Sequence, residues 1–280
     1  MTNLLRIEQA TLYFGGLRAL YDVTFEHRGD EILALIGPNG AGKTTLFNSI
    51  TGMYKLDGGR IIFQEKDISN MRPYERVHLG IARTFQNIRL YSELTVLENL
   101  LLAHPGCNRE TIWGSLLLGK NFRRNRKKVV EDCEAILELI GLSDQATQSA
   151  TSLPYGKQRL LEIGRALATD PVLLLLDEPG AGMNTVEKAE LTSLIKTIAK
   201  DRKRHILLIE HDMKFVLNIS DRIIVLDHGE KIAEGSPEEI PKNEDVVEAY
   251  LGKQNFELYS GHDASPANLD NEKSIAEEIK

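Results

Sequence analysis

Gly37-Pro38-Asn39-Gly40-Ala41-Gly42-Lys43-Thr44-Thr45 is the stretch from which the rest of the chain can be read. An apolar run, Ile32-Leu33-Ala34-Leu35-Ile36, precedes it, and Leu46-Phe47-Asn48-Ser49-Ile50 follows as the start of a helix. Buried strand, glycine-rich turn and helix N-terminus together make a phosphate cradle. The glycines let the backbone fold tightly enough to aim its N–H groups inward, and the helix end adds partial positive charge. At the fixed positions, Gly37 and Gly42 shape the loop, Lys43 reaches β- and γ-phosphates, and the Thr44 hydroxyl binds Mg²⁺.

The bulk numbers suit that reading. A chain of 280 residues, 42% hydrophobic and 27% charged, is long enough for one large α/β domain or a core plus a subdomain. A net charge of −7 argues against a dedicated nucleic-acid binder. Cys107 and Cys133 lack metal-ligand spacing and suit a reducing compartment. No basic-then-apolar leader opens the sequence, and no apolar run reaches the roughly 18 residues of a membrane span. The expectation is a cytosolic chain whose membrane role, if any, runs through partners.

Around the cradle, Leu4 to Phe14 alternates as an edge strand, Gly15-Gly16 turns, and Leu20 to His27 gives a second strand. Asp57-Gly58-Gly59 reads as a hairpin signal before a strand from Arg60 to Gln64. A short helix follows Pro73, and a strand over Ile81 to Phe85 leads to Gln86. From 87 to 157 helical spacing takes over. Thr95 and Glu98 form a capping-box pattern, residues 110–118 suggest a short helix, and Asn125 to Ile140 is amphipathic. Strands at 172–177, 205–209 and 222–226 then alternate with helices at 155–168, 185–200 and 212–219, which implies a mainly parallel, layered sheet. A hairpin at Asp227-His228-Gly229-Glu230 and a helix near 243–251 close this part. Residues 253–280 are polar, mostly acidic, and read as a largely disordered tail.

The chemistry-bearing residues lie at strand ends. The run Val172 to Leu176 finishes in Asp177-Glu178-Pro179, at the carboxyl edge where open α/β sheets bind ligands. There Asp177 is placed to hold Mg²⁺ through water, and Glu178 to polarise an attacking water as general base. His211 ends another apolar strand and can contact a γ-phosphate or that water. Arg123, Arg124, Arg126, Lys127 and Lys128 cluster at the start of the long helix. They read as a solvated face or, more sharply, as an attraction to anionic lipid or a membrane subunit.

The phosphate loop, Gln86, Leu153-Pro154-Tyr155-Gly156-Lys157-Gln158, Asp177-Glu178-Pro179 and His211 occur in the order and spacing of the ABC-type ATP-binding cassette, and residues 4 to about 252 resemble that family. Phe14-Gly15-Gly16-Leu17-Arg18-Ala19-Leu20, Ala82 to Leu90, Ile209 to Lys214 and Ala249-Tyr250-Leu251-Gly252 look more narrowly like the LivG-type ATP-binding subunits of branched-chain amino acid importers. The resemblance implies a P-loop NTPase core of α/β class with a mixed, mainly parallel sheet, an antiparallel β-subdomain and an inserted helical subdomain. Its division would be 1–86 with 158–252 for the core and 87–157 for the helical part. It further implies ATP and Mg²⁺ bound by Gly37, Pro38, Asn39, Gly40, Ala41, Gly42, Lys43, Thr44 and Thr45, with Thr44, Gln86 and Asp177 on the metal. Phe14 would stack on adenine, with Tyr13 as rival.

In such cassettes two copies pair head to tail, so Pro154, Tyr155, Gly156 and Lys157 would meet the ATP of a partner cassette. Pro154 stands where the family has serine, and Asn184 where it has an aspartate; the latter could still hydrogen-bond across the pair. The implied partners are a second cassette, two transmembrane permease subunits and a solute-binding protein, at the cytoplasmic face of the inner membrane. The same motor chemistry would serve a lipid or lipopolysaccharide exporter. A soluble ABC protein of translation or DNA repair would instead carry two cassettes or a long coiled-coil insert.

Overall fold

A computed structural model describes residues 4–29, 31–86, 88–108, 120–201 and 204–251. Its centre is a six-stranded sheet in the order β10-β9-β3-β8-β7-β6. The strands are β3 (Ile32–Ile36), β6 (Ile81–Arg83), β7 (Leu173–Asp177), β8 (His205–Ile209), β9 (Arg222–Asp227) and β10 (Glu230–Gly235). All neighbours pair parallel except β10, which runs antiparallel to β9. The uninterrupted apolar runs of β3 and β7 follow from this position, since both faces of the sheet are covered. Side chains alternate between two cores: Ile32, Ala34 and Ile36 with Leu174 and Leu176 on one face, Leu33 and Leu35 with Leu173 and Leu175 on the other.

The second core is closed by an antiparallel sheet of β1 (Leu5–Phe14), β2 (Leu17–His27), β4 (Gly58–Phe63) and β5 (Lys66–Asp67), ordered β2-β1-β4-β5, and by α1 (Lys43–Ile50); the short α2 (Pro73–His78) follows β5. Here two expectations need correcting. Leu5–Phe14 is an interior strand, paired with β2 on one side and β4 on the other, not an edge. Asp57-Gly58-Gly59 is not a hairpin turn; it feeds β4, and the turn of the β4–β5 hairpin is Gln64-Glu65, both with positive φ. The second strand also starts three residues before Leu20, straight after the Gly15-Gly16 turn.

The first core is closed by helices. Between β6 and α6 (Tyr155–Ala168) lie α3 (Val96–Ala103), α4 (Pro105–Asn108) and α5 (Lys120–Leu139). The Thr95–Glu98 capping box is present: Glu98 N donates to Thr95 Oγ1 at 3.2 Å and Thr95 N to Glu98 Oε2 at 2.8 Å. Val96, Leu100, Cys133, Ile136, Leu137, Ile140 and Leu161 form the helical part of this core. The long helix begins five residues before Asn125, and Arg124, Arg126, Lys127 and Lys128 are exposed on it. The helix expected at 110–118 and the tail from 253 lie outside the described residues. After β7 come α7 (Thr185–Asp201), α8 (Met213–Ile219) and α9 (Glu244–Leu251). Among the described residues no helix is long and apolar enough to cross a membrane.

At the sheet edge remote from the phosphate loop, His27 is fully buried at the end of β2. Its Nε2 donates to the Ile206 carbonyl at 3.0 Å and its Nδ1 accepts from Gly29 N at 3.2 Å, which fixes a neutral ring. Burial pushes the His27 pKa below 6.5; the Ile206 carbonyl and Glu31 pull upward, while His205 and Arg222 push down. Above pH 6.5 neither folded nor unfolded chain binds this proton. Below it the unfolded chain binds a proton that the folded one rejects, so stability falls as pH falls. The His27 share of that slope is at most about 1.4 kcal/mol per pH unit. Denaturation midpoints from pH 7.5 to 5.5 will decline, and His27→Gln will flatten the limb below pH 6.5.

Candidate functional site

The phosphate loop leaves β3 at Ile36 and enters α1 at Lys43. Gly42 occupies the N-cap of α1 with no side-chain cap, so the first N–H groups of the helix are available to an anion. The Lys43 ammonium folds back into the loop, donating to the carbonyls of Gly37 at 2.6 Å and Pro38 at 2.8 Å. Burial lowers its pKa, opposed by the nearby carboxylates of Glu178 and Asp177. Thr44 is exposed beside it, with Thr45 half-buried. Pro38, Asn39, Gly40 and Ala41 also line a cavity of about 970 Å³ against α9, which contributes Asp245, Glu248 and Ala249.

Two neighbouring strands deliver the acid and base groups. Asp177 is buried at the end of β7, where its N–H donates to Thr84 Oγ1 at 3.2 Å. Glu178 follows with φ 48°, a left-handed conformation that costs a non-glycine residue about 1–2 kcal/mol, and its N–H donates to Ile209 O at 3.0 Å. Gln86 Nε2 donates to Glu178 Oε2 at 3.0 Å, and His211 Nδ1 lies 3.8 Å from Glu178 Oε1. Three separate segments therefore meet at one carboxylate. His211 is 60% exposed, so its ring is open to a ligand or partner.

Several supporting residues have no role in the sequence reading. Glu210 is buried behind His211; its carboxylate accepts from Gly180 N at 2.8 Å and His211 N at 3.2 Å, and so fixes the loop after Glu178 and the backbone of the histidine together. Burial raises its pKa against those two N–H groups. The one available signal is a charged residue ending an apolar strand. The segment carrying Gln86 hangs from one stripe of α6. Arg159 Nη1 donates to Phe85 O at 3.1 Å, Glu162 accepts from Phe85 N at 3.3 Å, and Arg165 donates to the Arg89 carbonyl.

The stretch 154–157 lies elsewhere, at the start of α6 beside the loop that leads into α7. Pro154 is the N-cap of α6, one position before the first turn, and its carbonyl accepts from Gln158 N at 3.0 Å. Tyr155 Oη accepts from Arg159 Nη2 at 2.9 Å. A Cβ on Gly156 would stand 2.6 Å from Glu187 Oε1, so a larger residue there would have to push the Glu187 carboxylate aside. Lys157 follows in the first turn of α6. Asn184 Oδ1 caps α7, accepting from Val186 N at 2.9 Å and Glu187 N at 3.0 Å, so its acceptor is spent within its own chain. Tyr13 and Phe14 sit at the tip of β1, 44% and 45% exposed, so exposure does not choose between them. The Phe14 ring packs edge-on against Tyr54 at 5.2 Å.

Among the described residues no cluster of three or more His, Cys, Asp or Glu could hold a metal unaided. Thr44, Gln86 and Asp177 offer few, hard oxygen donors. That set suits Mg²⁺, which keeps waters and takes phosphate oxygens to complete its shell.

The ABC transporter family model matches residues 20–181, and the family described as branched-chain amino acid ATP-binding cassette transporter matches residues 230–254. The high-affinity branched-chain amino acid transport ATP-binding protein LivG of Salmonella typhimurium is 46% identical over 250 residues, covering 89% of this chain and 98% of that protein. BraF of Pseudomonas aeruginosa, a protein of the same description, is 42% identical over 251 residues, covering 89% and 98%. The crystal structure of the ADP conformation of MJ1267, an ATP-binding cassette of an ABC transporter, superposes with a TM-score of 0.79 at 38% identity, covering 90% of this chain and all of that one.

Proposed function

The chain belongs to the ABC transporter family, whose cassettes bind and hydrolyse ATP, and from that premise we propose that it is the ATP-hydrolysing subunit of a branched-chain amino acid importer. The observation that carries the catalytic part is the meeting of Gln86, Glu178 and His211 beside the phosphate loop. Lys43 and the backbone N–H groups of residues 39–45 hold the phosphates. Thr44, Gln86 and Asp177 hold Mg²⁺, which when bound neutralises charge on the β- and γ-phosphates. Glu178 takes the proton of the attacking water, Gln86 keeps its carboxylate oriented, and His211 secures the γ-phosphate end. Rate comes from positioning and fixed charge more than from covalent chemistry. Phe14 stacks on the adenine.

Residues 154–157 have no task at their own chain's phosphate loop. Their uncapped helix end is the right anion site for the ATP of a second cassette, and pairing two cassettes closes both sites. The core, 1–86 with 158–252, and the helical part, 87–157, would then shift on each other as ATP is bound and spent. A permease subunit would dock on the apolar surface beside this segment. Met53, Val77, Phe85, Leu90 and Tyr91 line a cavity of about 620 Å³ beside the segment that carries Gln86. On this reading the chain would sit at the cytoplasmic face of the membrane, held by two permease subunits and served by a solute-binding protein.

The test is purification from gently solubilised membranes with partners identified by mass spectrometry, followed by leucine uptake in proteoliposomes. Capture of two polytopic permeases and ATP-dependent leucine uptake is the expected result. Capture of lipid-export subunits would keep the ATPase and discard the substrate. Recovery with ribosomes or DNA and no membrane protein would overturn the transport reading.

A further inference from the structure

Arg83, the last residue of β6, is three residues before Gln86, and its side chain is only 8% exposed. Its Nη2 donates to Asp177 Oδ2 at 2.6 Å, and its Nη1 to Asn48 Oδ1 at 2.6 Å. Asn48 lies on α1 four residues after Thr44, hence on the same helical face. The guanidinium also lies over the Phe47 ring, 5.7 Å from its centroid, and 5.5 Å from that of Phe85. One planar cation thus touches the helix of the phosphate loop, the end of β7 and the root of the Gln86 segment.

We propose that Arg83 is a positioning residue for metal binding: by holding Oδ2 of Asp177 against Asn48, it fixes the carboxylate with its other oxygen left for the magnesium ion. The proposal rests on the assignment of Asp177 to Mg²⁺ made above. A carboxylate at a strand end can turn about its own bond, and one hydrogen bond from a fork whose other arm is held by Asn48 removes that freedom before the metal arrives. The fork matters because both donors are spent on partners in different elements. A lysine carries the charge but is a point donor and cannot reproduce the two-way geometry. A buried ion pair is a weak source of stability, since desolvation offsets the attraction, so stability alone is a poor reason for placing one here. Because β6 leads into Gln86, the same contact also sets where that second metal and water ligand begins.

The experiment uses the full-length chain and its Arg83→Met, Arg83→Lys, Asn48→Ala and Asp177→Asn variants. Binding of a fluorescent ATP analogue is measured in chelator and across a Mg²⁺ titration, with ATPase rate and thermal midpoint alongside. Arg83→Met is expected to raise the Mg²⁺ concentration for half-effect by about 10- to 100-fold, the usual cost of losing a partner behind a metal-binding carboxylate, while affinity in chelator stays unchanged. Arg83→Lys should fall between. An unchanged Mg²⁺ requirement with a lowered thermal midpoint would overturn the proposal and leave a structural brace. A lowered Mg²⁺ requirement would also overturn it, showing that the guanidinium competes with the metal. If Arg83→Met does not fold, Asn48→Ala decides: a smaller shift in the same direction supports the proposal, and none overturns it. Asp177→Asn separates the two levels. If it leaves the Mg²⁺ requirement untouched, the assignment of Asp177 fails; if it raises the requirement and Arg83→Met does not, only the role of Arg83 fails.

Discussion

Glu178→Gln will bind ATP and turn it over about 10² to 10⁴ times more slowly, the range that a positioned general base contributes. Glutamine keeps one side-chain oxygen, so the 3.0 Å bond donated by Gln86 can persist and the fold around the site stays in place. What disappears is the only group at this convergence that is both anionic and partly open to water: Glu210 is buried and engaged with Gly180 and His211 N–H groups, and Asp177 is buried against Arg83. Nucleotide affinity, followed by fluorescence, should change little, while single-turnover release of phosphate nearly stops. In the paired-cassette reading, ATP would also accumulate a dimer detectable by light scattering. Near-normal turnover would remove Glu178 as base and move that task to His211, whose ring stands 3.8 Å away.

Sequence pattern carries this site a long way because its main parts are local. A loop between a strand and a helix is continuous in the chain, and so are an acid pair at a strand end and a histidine at the next strand end. What the pattern cannot carry is pairing across the chain. Leu5–Phe14 alternates in the same way whether it has one neighbour or two, and only the ladder with β4 makes it interior. Gly59 resembles half of a turn, yet its φ is 83° within β4, opposite a register shift in β1. A Cβ there would stand 2.3 Å from Gln9 O, so the glycine answers to a close crossing, not to chain reversal. Arg83, Glu162 and Glu210 act on partners 94, 77 and 30 residues away, distances at which spacing holds no information. Asn184 shows the converse: its position in a motif suggests a contact across a dimer, while its own helix already uses its oxygen.

Gly37→Ala will cost far more than Gly40→Ala, although both glycines belong to the same loop. Gly37 has φ 150°, a region closed to most side chains, and a Cβ there would stand 2.1 Å from Leu226 O and 3.1 Å from Ala41 Cβ. Leu226 lies on β9, in parallel register with β3 through Ile36 and Val225, so the clash cannot be relieved by turning a flexible side chain. Either the β3–β9 ladder opens at its end or the loop lifts away from it. The first lowers stability by an amount on the order of 3 kcal/mol, or about 10 °C in thermal midpoint for a domain of this size. The second moves the N–H groups and the two carbonyls that hold Lys43, and weakens ATP binding about tenfold or more. Gly40, with φ 82°, has no heavy atom within 4 Å of the place a Cβ would take, so alanine there bears only the left-handed backbone cost of about 1 kcal/mol. Thermal melts without nucleotide and titrations with a fluorescent ATP analogue read the two costs separately. Equal, small effects at both positions would mean that the loop is not seated on β9, and that Gly37 serves only the turn.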